Sequence, residues 1–274
     1  MYRNILSLSV KDFLILSLNK IGIKVSKKYL FSEKIYNTTL SIDRILRYEK
    51  IVQNHNKNFK LNFNNKNIVE LGSGINYGWA PFAIFHGCSN YTVVEPAADY
   101  NFLNDLSNKD NYFSLYFQYL SKMFQNNITF NEFYDQCLKK IKVIKNIDDL
   151  QNEQYDYFIS NSVFEHVIDL NYFINKISML SNDYTSHFHI VDFGNHKSNT
   201  DVFNGIYNIN PQKEKKIRGI NYLRSSDINN LFKSNKINIS QICLLNFELS
   251  NSINNYWKKY KAEDLRKGVS LFYK

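Results

Sequence analysis

Residues 67–95 constrain this chain more than any other segment. Asn67 to Leu71 read as a short apolar strand. Gly72-Ser73-Gly74-Ile75-Asn76-Tyr77-Gly78 follows at once, then an apolar stretch from Trp79 to His86 suited to a helix, and a second strand over 91–94 that runs into Glu95. Strand, glycine turn, helix, strand and terminal acid is the order of a nucleotide-binding βαβ unit. The turn lets backbone approach a ligand where a Cβ would clash, and the helix start offers unpaired amides. By itself such a turn is also compatible with a tight strand-to-helix connection that binds nothing. Glu95 weighs against that, because a carboxylate at the end of the second strand can accept both hydroxyls of a ribose. Of only nine glycines in the chain, Gly72, Gly74, Gly78 and Gly87 fall within this unit, so the cluster is not a by-product of composition.

Beyond this unit the alternation continues. Strands are expected at 141–144, 155–160, 188–192, 237–245 and 269–273, with helices at 170–180 and 226–234. Strands alternating with helices imply a mainly parallel sheet covered by helices on both faces. Residues 99–140 are rich in Phe, Tyr and Leu at helical spacing and lack Gly and Pro, which predicts a helical insertion. Residues 1–66 read as an N-terminal helical cap, with helices at 9–18 and 41–51 and a polar connector at 54–67. The main domain is then 67–274.

The 274 residues are 44% hydrophobic and 22% charged, a balance that supports a sizeable core and excludes a disordered chain. No apolar run reaches the roughly 18 to 20 residues a membrane span needs, and the most hydrophobic N-terminal stretch is interrupted by Lys11, Asp12 and Lys20. Neither a span nor a signal peptide is expected. Cys88, Cys137 and Cys243 stand far apart, without the spacing of a disulfide framework or a cysteine zinc site, and a cytoplasmic location is the simplest reading. The net charge of +9 is spread along the chain, which does not favour nucleic acid and suits phosphate-bearing small molecules.

Three segments, Val69-Glu70-Leu71-Gly72-Ser73-Gly74, Val93-Val94-Glu95-Pro96 and the run from Tyr155 to Val167 that contains Asn161-Ser162-Val163-Phe164-Glu165-His166, resemble the class I S-adenosylmethionine-dependent methyltransferases over roughly residues 66–274. Phe188-His189-Ile190-Val191-Asp192-Phe193-Gly194-Asn195-His196 and Asn221-Tyr222-Leu223-Arg224 are similar to a subgroup associated with bacterial surface-glycan biosynthesis. The chain departs from the family at 181–185, where a lysine-proline-glycine-glycine turn is usual, and at 75–77, where many members carry a third early glycine.

The resemblance implies a Rossmann-like seven-stranded sheet and an O-methyltransferase. Its acceptor would be small and polar, a sugar or nucleotide-linked precursor of a surface polysaccharide, with a phosphate or phosphoramidate group as a variant. Gly72, Ser73 and Gly74 would approach the methionine portion of the cofactor, Glu70 would help order its ammonium through a hydrogen bond or water, and Glu95 would hold the ribose. Asp148 or Asp149 would meet the adenine amino group, and Asn161 and Ser162 would line the carboxyl edge of the sheet.

Four of six histidines, His166, His187, His189 and His196, fall between 166 and 196. Methyl transfer to a hydroxyl needs alignment and removal of a proton, which suits a histidine. The expected base is His196 with Asp192 as its orienter, and His166 as a support beneath the cofactor. Arg224, Arg218 and His189 are the expected acceptor contacts. His189, Asp192 and His196 also form a conceivable divalent-metal set, which is not favoured because magnesium prefers oxygen ligands. The competing readings are a nicotinamide-dependent oxidoreductase and a non-catalytic cofactor-binding assembly subunit. The sequence leaves the oligomeric state open.

Overall fold

The computed structural model describes residues 28–74, 76–195, 202–203, 205–213, 220–249 and 253–274. Strands β1 (Asn67–Leu71), β2 (Asn90–Val94), β3 (Ile141–Ile144), β4 (Tyr157–Asn161), β5 (Ser186–Asp192), β6 (Ser240–Asn246) and β7 (Lys267–Tyr273) form one sheet in the order β3-β2-β1-β4-β5-β7-β6. The first five strands pair in parallel, and β7 enters antiparallel between β5 and β6. Strand order reverses between β1 and β4, and Leu71 is in register with both Val94 and Ser160. The carboxyl ends of β2, β1 and β4 thus open onto one crevice, the place where open α/β sheets bind ligands.

Both faces of the sheet are covered, which explains why its strands are apolar on alternate residues of either parity. One face carries Ile68, Tyr91, Val93, Ile159, Phe188 and Ile190. Against it pack α1 (Lys28–His55), α2 (Ala80–Phe85), α4 (Ser114–Met123) and α5 (Phe130–Lys140). The opposite face carries Val69, Leu71, Phe158, Val191 and Phe272 against α6 (Leu170–Met179) and α7 (Ser225–Ser234). A third cluster joins Phe203, Tyr207, Tyr222, Trp257 and Leu265 beyond the end of β5; Leu265 lies on α8 (Ala262–Arg266). At about 1.5–3 kcal/mol for each fully buried large apolar side chain, neither face is dispensable to a fold whose net stability is about 5–15 kcal/mol.

The segment between β2 and β3 is helical: α3 (Leu106–Asn108) runs through one wide turn, Lys109–Phe113, into α4, and α5 follows with Thr129 and Glu132 forming a capping box at its start. The helix expected at 41–51 is part of the longer α1, which continues through His55 into the stretch read as a polar connector. The helix expected at 9–18 lies outside the described residues. Strand β4 starts two residues later than expected, after Asp156, whose backbone still bonds to Asn67 O and to the Ser186 amide, while its carboxylate accepts the Asn67 amide at 2.8 Å and pairs with Lys66. Strand β6 likewise starts at Ser240 rather than 237, after the turn that buries Ile237.

Candidate functional site

The glycine turn is shaped by two contacts that admit no side chain. Gly72 has φ of 68°, and a Cβ there would lie 2.4 Å from Val163 Cγ2, on the loop after β4. Gly78, at φ of 45°, would place its Cβ 2.2 Å from Glu70 Oε1. Gly74, at φ of 77°, is different: a Cβ there would meet only Asn76 Oδ1, at 3.7 Å, so its outer side is open. The turn is therefore held close to its neighbours at both ends and half-buried in the middle, with room beside Gly74. Glu95 fixes that middle, since Oε2 accepts the Gly74 amide at 2.8 Å and Oε1 accepts the Ala97 amide at 2.9 Å. Each oxygen keeps acceptor capacity for a diol, because an ionised carboxylate has about four lone-pair sites.

Glu70 lies beneath the turn. Its carboxyl group accepts the Tyr91 hydroxyl at 2.8 Å and the Trp79 amide at 3.0 Å, and the residue is 3% exposed. Burial pushes its pKa up to about 8, against the lowering effect of the Tyr91 and Trp79 hydrogen bonds. Its oxygens are turned to the start of α2 and to β2.

At the end of β3 a short turn, Ile147–Asp149, carries both candidate adenine partners. Asp148 accepts the Tyr172 hydroxyl and pairs with Lys176 at 2.9 Å, both on α6, and these contacts hold its pKa below the ordinary value. Asp149 is exposed and has no side-chain hydrogen bond among the described residues. Asp148 is thus tied to α6, whereas Asp149 makes no such contact among the described residues.

The edge formed by β4 and β5 is polar. Asn161 and Ser162 are half-buried at the end of β4, and Ser162, at φ of 55°, donates its amide to Ile190 O at 2.8 Å. Asp192 closes β5, half-buried, with Oδ1 accepting the Gly194 amide at 2.8 Å. His166 ends the turn Phe164–His166 with Nε2 3.6 Å from the buried Glu165 carboxylate. Asn221 closes that turn, donating from its side chain to Phe164 O at 2.6 Å and Val167 O at 2.8 Å. His196 and Arg218 lie outside the described residues.

Two expected acceptor contacts sit elsewhere. His189 is fully buried, with Nδ1 2.9 Å from Ser160 Oγ and Nε2 3.3 Å from His187 Nδ1; His187 Nε2 is in turn 3.4 Å from Ser181 Oγ. Phe158, Phe164 and Phe232 surround the two rings, and burial drives both pKa values down, that of His187 to about 3. His189 therefore points to the face covered by α6 and α7 and does not bind an acceptor. Arg224 is 1% exposed and stands among the rings of Phe193, Tyr207 and Trp257, with its guanidinium carbon 5.1 to 5.6 Å from their centroids. It donates to Phe193 O at 3.3 Å and to the Tyr207 hydroxyl at 2.8 Å. The expectation that it grips an acidic acceptor is corrected: its charge is enclosed, and it ties the residue after Asp192 to the start of α7.

Sequence reasoning missed Val163, Tyr91 and His187 as determinants of the site. For His187 a signal existed, since positions 187 and 189 share one face of a strand. Among the described residues no group of three or more His, Cys, Asp or Glu side chains is arranged to hold a metal, and no helix is long and apolar enough to cross a membrane.

No curated protein matches this chain. Similar solved structures include the putative methyltransferase bound to the Trm112 methyltransferase activator of Haloferax volcanii (9% identity, 77% of this chain and 82% of that chain, TM-score 0.42). A putative S-adenosylmethionine-dependent methyltransferase from Listeria monocytogenes (11%, 81% and 95%, 0.39) and another from Aquifex aeolicus (11%, 82% and 87%, 0.40) are also similar. The family model for a methyltransferase domain matches residues 43–239, well over half the chain, including the glycine turn, Glu95 and the β4–β5 edge. This disfavours the oxidoreductase and non-catalytic readings. The chain belongs to the methyltransferase-domain family and is an S-adenosylmethionine-dependent methyltransferase.

Proposed function

We propose that this enzyme is an O-methyltransferase whose acceptor is a small polyhydroxylated molecule, a sugar or nucleotide-linked precursor of a surface polysaccharide. The observation that carries this reading is the polar edge at the ends of β4 and β5, where Asn161, Ser162 and Asp192 are all half-buried. Such a surface suits hydroxyl groups better than an aromatic or aliphatic acceptor. The glycan class rests on the resemblance of residues 188–196 and 221–224 to that subgroup, and the net charge of +9 favours an acceptor carrying phosphate or phosphoramidate. The cap at 1–66 and the insertion at 99–140 are proposed to frame the acceptor, in a protein acting in the cytoplasm.

The residues present fit the cofactor: Gly74 leaves its outer side open, and Glu95 is anchored to the same turn. Gly72, Ser73 and Gly74 would cradle the methionine portion, Glu95 would accept the ribose hydroxyls, and Asp149 would accept from the adenine amino group. When bound, S-adenosylmethionine supplies a methyl group on a sulfonium, open to direct displacement by an oxygen. Asn161 and Ser162 align the acceptor, and its hydroxyl proton passes to His196 oriented by Asp192. His166, held beside Glu165, supports the turn after β4.

The test is transfer of labelled methyl groups to a panel of nucleotide sugars, sugar phosphates, catechols and peptides. Label on a sugar hydroxyl is expected, together with a loss of about 10² to 10⁴ in kcat for His196→Ala at unchanged S-adenosylhomocysteine affinity. Label confined to peptides or catechols overturns the acceptor class. Activity lost with EDTA and restored by a divalent ion overturns the assignment of the base.

A further inference from the structure

Two carboxyl groups hold the glycine turn, Glu95 from above and Glu70 from beneath, and among the described residues neither has a cationic side chain at ion-pair distance. The groups packed around Glu70 are the Trp79 amide at the start of α2, Tyr91 of β2 and Tyr116 of α4. Tyr116 is buried, and its hydroxyl has no hydrogen-bond partner among the described residues. Tyr112 and Cys88 act on these tyrosines, and none of the titratable neighbours carries positive charge. The Glu95 carboxylate itself raises the pKa of Glu70, adding to the larger effect of burial. A buried carboxyl in such surroundings is neutral unless positive charge arrives.

We propose that Glu70 is protonated in the cofactor-free enzyme and that binding of S-adenosylmethionine, which brings a net positive charge to the glycine turn, releases the Glu70 proton to solvent. The O–H bond of the carboxyl breaks, the electron pair stays on Glu70, and the proton passes to water and then to buffer. Glu70 thereby acts on the cofactor through charge and through the turn it supports, without touching it. S-adenosylhomocysteine lacks the sulfonium charge and should release less. The proposal rests on the cofactor assignment, and its test reads protons separately from activity.

Calorimetric titration of S-adenosylmethionine near pH 7, in phosphate and in Tris, gives the number of protons from the difference in heat. With a group of pKa about 8 the expected release is about 0.9 proton per site, falling toward zero by about pH 9. Glu70→Gln should make the heat independent of buffer. Should that variant fail to fold, Tyr91→Phe removes a bond that lowers the Glu70 pKa, and release should then persist to higher pH. Binding with equal heats in both buffers, or release that survives in Glu70→Gln, overturns the proposal. Failure of the wild-type protein to bind S-adenosylmethionine at all would instead overturn the cofactor assignment.

Discussion

Gly72→Ala is the perturbation that tests the geometry of the glycine turn most sharply. Two costs arise. An L-residue held at φ of 68° costs about 1–2 kcal/mol relative to glycine. The new methyl group, 2.4 Å from Val163 Cγ2, must push the loop after β4 aside, an overpacking cost of about 1–3 kcal/mol. The single variant should thus lose about 2–5 kcal/mol. Val163 is half-buried, so Val163→Ala alone should lose about 1 kcal/mol. In the double variant the nearest remaining Val163 atom is Cβ at 3.4 Å, an ordinary contact, and only the backbone strain survives. Its loss should be about 2–3 kcal/mol, below the sum of the singles, with a favourable coupling of about 1–3 kcal/mol. Urea midpoints at constant m-value measure this, and S-adenosylhomocysteine affinity should recover in parallel, because the added methyl points to Val163. Additivity within about 0.5 kcal/mol would refute the claim that the β4 loop closes onto Gly72.

Three further outcomes follow from the site. The folded-state pKa of Glu70 is raised from 4.5 to about 8, so its stabilising contribution is complete below about pH 4.5 and lost as pH rises through about 8; at 1.36 kcal/mol per pH unit this spans about 5 kcal/mol. Urea midpoints should decline from pH 5 to 9 less steeply in Glu70→Gln, and equal slopes would contradict the burial argument. His187 is depressed from 6.5 to about 3, so its contribution is present above about pH 6.5 and lost as pH falls toward 3; His187→Gln should be less stable at pH 7.5 but show a shallower acid limb in thermal melts. Arg224 has no carboxylate partner among the described residues, so Arg224→Met should be tolerated better than Arg224→Lys, which keeps a buried charge while losing the paired bonds to Phe193 and Tyr207. The reverse order of melting temperatures would mean that the charge itself stabilises the edge.

The βαβ unit was legible because each of its parts has a local cause. A positive φ requires glycine at positions 72, 74 and 78, and an acid ends the second strand within reach of the turn. The direction of side chains in the centre of the sheet was not legible. Strand β5 is buried on both sides, so the alternation that would separate His189 from Asp192 carries no contrast between polar and apolar faces. Arg224 failed for another reason: its enclosure is made by Phe193 of the second cluster and by Tyr207 and Trp257 of the third, residues distant in sequence that only the tertiary fold brings together. The start of β4 was placed two residues early, where Asp156 spends its carboxylate on the Asn67 amide, a side-chain contact that no periodicity announces.

The chain of contacts through His189 and His187 has a polarity. Ser181 Oγ donates to Ile177 O at 2.8 Å, so towards His187 it is an acceptor, and the proton of that ring resides on Nε2. Nδ1 of His187 then accepts, which places the His189 proton on Nε2 as well, and leaves His189 Nδ1 to accept from the Ser160 hydroxyl. One carbonyl on α6 thus selects the tautomer of two imidazoles and the orientation of a hydroxyl next to Asn161. A second proton on His187 would fall on Nδ1 and set donor against donor along β5, whereas one on His189 would fall on Nδ1 and reverse the Ser160 hydroxyl from donor to acceptor. The side-chain relay from Ser181 to Ser160, beneath the reaction edge, consequently keeps this polarity only while both rings are neutral and both tautomers agree.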